Sequence, residues 1–144
     1  MGAEQKTLAL VTELEEHLDI ARDAATRRGK RPRVYFEEWD APMISGIRWV
    51  SELISIAGGG DVFAELAQHP NAAQSIIADP AEVLRRKPDI IIGSWCGEKF
   101  RPEQVAARAG WDALPAVAES ALHEIKSAEI LTPGRQRYAW ACHE

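Results

Sequence analysis

Apolar and polar positions follow two rhythms along this chain. In residues 4–28, Val11, Leu14, Leu18, Ala21 and Ala25 recur at alternating spacings of three and four, which predicts one long helix with a single apolar stripe. Gly29 and Pro32 supply the stop. The simplest expectation is that this helix packs on its own domain; the sharper one is that its stripe faces another domain or a second chain. Arg33-Val34-Tyr35-Phe36-Glu37 is rich in β-branched and aromatic residues and predicts a short strand, with Glu38-Trp39-Asp40-Ala41-Pro42 as a polar loop after it. A helix is expected from Ser45 to about Ala57, with Ile47, Val50, Leu53, Ile54 and Ala57 on one face, ended by Gly58-Gly59-Gly60.

Beyond the glycines, residues 61–68 predict a short helix and His69-Pro70-Asn71 a turn. Asp79-Pro80-Ala81-Glu82 has the pattern of a capping box with proline at the first helical position, and predicts a helix to about Lys87. Asp89-Ile90-Ile91-Ile92-Gly93 is an unbroken apolar run between Pro88 and a glycine, the pattern of a buried parallel strand. Residues 102–109 predict another helix, and residues 114–117 and 122–125 two more strands; residues 132–144 have weak periodicity. Trp49, Trp111 and Trp140 are expected to pack. Strands alternating with helices imply an α/β fold. The organisation expected is a long helix over residues 1–31, then one lobe over residues 32–144 with a mostly parallel sheet flanked by helices. Ligands of such sheets bind outside the carboxyl ends of the strands. Two strand ends, Glu37-Glu38-Trp39-Asp40 and Ser94-Trp95-Cys96-Gly97, should therefore share one edge.

Composition narrows the function classes. The chain has 144 residues, 46% hydrophobic and 27% charged, with net charge −5. Those values suit one globular domain and argue against a surface that wraps nucleic acid. Arg27, Arg28, Lys30, Arg31 and Arg33 form a basic run without interleaved aromatic residues, so it offers no stacking platform for a single strand and reads as a solvated helix end. The glycine triplet closes a helix instead of opening one, and no phosphate-loop motif occurs. No apolar run is long enough to span a bilayer. The first residues lack the pattern of a secretory signal, so the chain as written reads as cytoplasmic.

The chemistry-bearing residues gather at the two strand ends. Glu37, Glu38 and Asp40 could act as paired carboxylates, although successive strand residues point to opposite faces. Cys96 could be a nucleophile, but no base can be placed beside it, and the four histidines have no metal-ligand spacing. Cys96 and Cys142 are the only cysteines, which leaves room for a single bridge. Trp39 and Trp95 suit stacking on a flat ligand, or else packing.

The segments from Val34 to Pro42, from Ser45 to Leu53, Ala57-Gly58-Gly59, and from Lys87 to Gly97, with Gly110-Trp111, Pro115-Ala116-Val117 and Ile130-Leu131-Thr132-Pro133-Gly134, resemble the cobalamin-binding and iron-siderophore-binding proteins of ABC importers. Members of that family have two α/β lobes joined by a long helix, with the ligand in the cleft between them. The resemblance implies that this chain is the second, C-terminal lobe alone, preceded by the interlobe helix. It also implies a non-catalytic binding role, with no cofactor and no metal. The ligand the resemblance implies is cobalamin or a similar corrinoid, met by Glu38, Trp39, Asp40, Ser94, Trp95 and Cys96. Docking on an ABC permease falls to Glu52, and the compartment is periplasmic if a leader is missing. A lobe without its mate would expose the stripe of residues 4–28, so a homodimer through Val11, Leu14, Leu18 and Ala21 is expected. The alternatives are a homodimeric interaction protein without ligand uptake, and an enzyme dependent on Cys96.

Overall fold

The computed structural model describes residues 2–69 and 72–131. The expected turn at Pro70-Asn71 and the tail with Trp140, Cys142 and His143 lie outside the described residues. Helix α1 (Gly2–Arg28) has Glu4 in its first turn and Arg27 and Arg28 in its last, and ends at Gly29 in the left-handed region, φ 66°. No residue of α1 is buried. Its last turns pack on α2 (Arg48–Ile56), where Leu18, Ala21 and Ala25 are half-buried and a side chain on Gly58 would come within 2.6 Å of the Ala25 Cβ. The rest of the stripe overhangs: Leu8, Leu10, Val11 and Leu14 are 67%, 55%, 45% and 53% exposed. Packing on its own domain therefore accounts for only the end of this helix, which at about 1.5 Å per residue outreaches the lobe beneath it.

The sheet has five strands: β1 (Arg33–Asp40), β2 (Met43–Ser45), β3 (Gly60–Asp61), β4 (Ile90–Gly93) and β5 (Leu122–Glu124). Their order is β2-β1-β4-β5, with β3 also paired to β1. All pairings are parallel except β1 with β2. The strand expected at 33–37 runs on to Asp40, because β2 folds back through Ala41-Pro42 and pairs with it. Glu37 faces Ser45 and Trp39 faces Ile44, so Glu38 is the extra residue of a β-bulge. Ser45 thus closes a strand, its hydroxyl donating to the Ser75 carbonyl, and α2 starts three residues later than the sequence implies.

Three other expectations change. Residues 61–68 form β3 and a 3-10 turn at Leu66–Gln68. Residues 114–117 are not a strand: Pro115 opens the short helix α5 (Pro115–Ala118). Proline suits the first helical position and cannot donate to a ladder. Helix α3 (Ala81–Arg86) is capped by Asp79, which accepts from the Ala81 N–H, while Glu82 turns to Arg85 and Arg86 and completes no capping box. Helices α4 (Pro102–Ala106) and α6 (Ser127–Ile130) complete the lobe.

Alternation along β1 splits the core in two. Tyr35 points into a cluster with Phe63, Ile91, Trp95, Phe100 and Trp111; Val34 and Phe36 point to the other face, against Val50 and Ile54 of α2. Gly93 ends β4 because Phe100 lies where its side chain would be, 1.8 Å from an added Cβ. Among the described residues no helix is long and apolar enough to cross a membrane.

Candidate functional site

The two chemistry-bearing strand ends meet. Glu37 pairs with Gly93, and the Ser94 N–H donates to the Glu37 carbonyl at 2.8 Å, so β1 and β4 finish side by side. At this edge Glu37 is fully buried. Its carboxylate accepts from the Tyr35 hydroxyl at 2.9 Å, the Trp95 indole N–H at 3.0 Å and both terminal nitrogens of Arg108 at 2.6 and 2.9 Å. Removing a carboxylate from water is costly unless charge and hydrogen bonds replace the solvent; here four hydrogen bonds do so, two of them from one guanidinium. The Arg108 guanidinium also lies 4.6 Å over the Trp111 ring. Burial opposes its charge, but the hydrogen bonds and the charge of Glu37 prevail and raise its pKa. Burial, and next the neighbouring Glu37 charge, push the Tyr35 hydroxyl well above its ordinary range, so Tyr35 stays a donor.

The residues expected to meet a ligand take different places. Trp95 is inside the core, edge-on to Phe100 at 5.3 Å, with its N–H held by Glu37. Ser94 is also buried, and its hydroxyl has no partner. Trp39 is half-buried, packed against the same cluster, its N–H donating to the Ala41 carbonyl. Cys96 is half-buried and disulfide-bonded, so it is not a free thiol. Glu38 is half-buried with one carboxylate oxygen unpartnered, and burial pushes its pKa up to about 7. Asp40 lines an open groove of about 580 Å³ with Met43, Ile77, Arg108 and Trp111. Glu52 is exposed on α2, paired with Arg48 at 3.2 Å. Among the described residues no group of three His, Cys, Asp or Glu side chains could hold a metal ion.

Sequence reasoning missed Arg108 and the role of Glu37. The signal for Glu37 was present, since it shares the inward face of β1 with Tyr35 and so needs a partner. The partner, 71 residues away, carries no such signal.

Two measurements test this electrostatic arrangement. Arg108→Leu leaves Glu37 buried without its cation and should cost about 3–5 kcal/mol in chemical denaturation. Glu38 behaves oppositely to a stabilised carboxylate. Its folded pKa of about 7 exceeds its reference value of 4.5, so folding takes up a proton and stability falls as pH rises from about 5 through 7. Glu38→Gln should remove that slope, with little effect at pH 5 and a gain of at most about 3 kcal/mol at pH 8.

A sequence model of the periplasmic binding protein family matches residues 1–129. No curated protein matches the chain. Among solved structures, a possible iron-binding (periplasmic solute-binding) protein from Staphylococcus epidermidis is similar with TM-score 0.74 and 18% identity, over 91% of this chain and 50% of that one. A periplasmic haem-binding protein from Roseiflexus is similar with TM-score 0.67 and 19% identity, over 86% and 48%. The periplasmic vitamin B12 binding protein of Vibrio cholerae is similar with TM-score 0.56 and 20% identity, over 81% and 43%. The chain thus spans about half the length of the structures it matches. With a match over nearly all its length, this chain belongs to the periplasmic binding protein family.

Proposed function

We propose that this chain is a non-catalytic ligand-binding lobe, equivalent to the C-terminal half of a cobalamin-type substrate-binding protein of an ABC importer. The observation that carries the reading is the meeting of the carboxyl ends of β1 and β4 beside an open groove. That is where parallel α/β sheets take ligands. Glu38, Trp39 and Asp40 contribute from β1, and Ser94, Trp95 and Cys96 from the segment after β4. Trp39 offers the partly accessible ring and Trp95 sets the wall behind it. Membership of a family of binding proteins, and likeness to proteins described as binding iron, haem or vitamin B12, support this class of ligand. Glu52, exposed one turn into α2, is the residue proposed to dock on a permease. A disulfide at Cys96 supports an oxidising compartment such as the periplasm. Titration with cyanocobalamin, followed by tryptophan fluorescence and calorimetry, should give saturable binding that Trp39→Ala weakens about tenfold, some 1.4 kcal/mol. No binding at millimolar ligand would overturn the reading for this chain.

The overhanging stripe of α1 favours a second reading, a homodimer through residues 4–28. Leu8, Leu10, Val11 and Leu14 form a run of exposed apolar side chains that a second copy would cover. Sedimentation at about 50 µM, tight enough for an interface of ordinary strength, should show a dimer. Val11→Asp with Leu14→Asp should dissociate it without unfolding the lobe, since both side chains are exposed. A monomer before mutation excludes the dimer.

A further inference from the structure

Glu38 and Ser94 are set apart from every other polar group at the strand ends. Glu37 is fully paired, Ser45 donates to the Ser75 carbonyl, and Glu124 accepts from the Phe100 N–H. Glu38 Oε2 and Ser94 Oγ alone, among the described residues, are buried side-chain atoms with no hydrogen bond. Buried groups of this kind call for an explanation. The two residues are also neighbours. Glu37 faces Gly93, so Glu38 and Ser94 follow at the same level of adjacent strands, about 4.8 Å apart. Both follow the last residues of the α2-face cluster, Phe36 on β1 and Ile92 on β4. The bulge at Glu38 is a device often found beside functional sites.

We infer that Glu38, backed by Ser94, receives one uncharged hydrogen-bond donor of the ligand, an amide N–H or a hydroxyl, in exchange for a proton; this rests on the ligand-binding reading above. The surroundings select that chemistry. Strands β2 and β4 carry no titratable side chain. On α2, Arg48 and Glu52 are paired with each other. Glu37 is neutralised by Arg108, Asp40 lines the groove beside Arg108, and Cys96 is in a disulfide. An anion would meet the Glu38 carboxyl first; the basic groups on this side, His123 of β5 in register with Ile92 and Lys126 before α6, are exposed and lie beyond β4. A metal ion would find one carboxylate and one hydroxyl, too few to hold it. An N–H or O–H donor that reaches the carboxyl satisfies the oxygen the protein leaves unpartnered, and the Ser94 hydroxyl keeps its own proton to donate.

The proton supplies the test. Burial holds the Glu38 carboxyl at about 7 without ligand. A donor favours the ionised form, so binding expels the proton. Cyanocobalamin, whose rim bears carboxamide donors, should bind about tenfold more tightly at pH 8 than at pH 6. Calorimetry at pH 7 in phosphate and in Tris should show release of about half a proton per ligand. Glu38→Gln should still bind, because its side-chain oxygen accepts a donor, but with neither pH dependence nor proton release. Hemin, which presents carboxylates, should show no such linkage. Cyanocobalamin binding that is independent of pH, or equally pH-dependent in Glu38→Gln, overturns this inference alone. Hemin binding with proton uptake overturns it in favour of an anion. Failure of both probes to bind at any pH overturns the ligand-binding reading, and this inference with it.

Discussion

The buried Glu37 carboxylate is the constraint on which this end of the sheet depends. It sits at the end of the central strand, where water is excluded, so its charge must be met from within the lobe. Tyr35 donates from the same strand, Trp95 from the segment after β4, and Arg108 from the segment after α4. Each donor is thereby held in one orientation. The Trp95 ring is turned into the core, and Arg108 is drawn under the groove and over Trp111. The two-pronged geometry of the Arg108 pair matters here, because a guanidinium meeting both carboxylate oxygens fixes direction as well as charge.

The neighbouring residue has the opposite solution. Glu38 has no cation partner among the described residues, and burial pushes its pKa up to about 7. One strand end therefore carries a carboxylate whose oxygens are fully hydrogen-bonded and, next to it, a carboxyl with an oxygen left unpartnered. The first gives rigidity, since none of its donors can turn away without leaving the charge unpaired. The second leaves hydrogen-bonding capacity where a partner can supply what the protein does not.

Helix α1 shows a related division at a larger scale. Its last turns are fixed by close approach, Ala25 against Gly58, and the stripe that begins there runs on beyond the lobe. The same periodicity thus serves two environments. Near Ala25 it meets α2 and Gly58 of its own lobe, and near Val11 it meets solvent.

Much of this was legible in the sequence because it is local. The stripe of α1 and its Gly29 stop, the buried run Ile90-Ile91-Ile92, the left-handed Gly58 after α2, and the convergence of the two strand ends follow from periodicity and from the steric limits of glycine and proline. Residues 114–117 and 38–40 were misread because short apolar or polar runs do not declare their state. Pro115 and the pairing of β2 decided those, the second only once the chain had turned back on itself. What tertiary structure alone decided is the chemistry of the edge. Arg108 stands 71 residues from Glu37, and no pattern within either segment marks the other. The sequence by itself determined which elements form and which edge carries the acids and tryptophans. Which carboxylate is paired, which stays open and which indole is buried depend on contacts between distant segments, because burial and hydrogen bonding are properties of the packed chain and not of its local pattern.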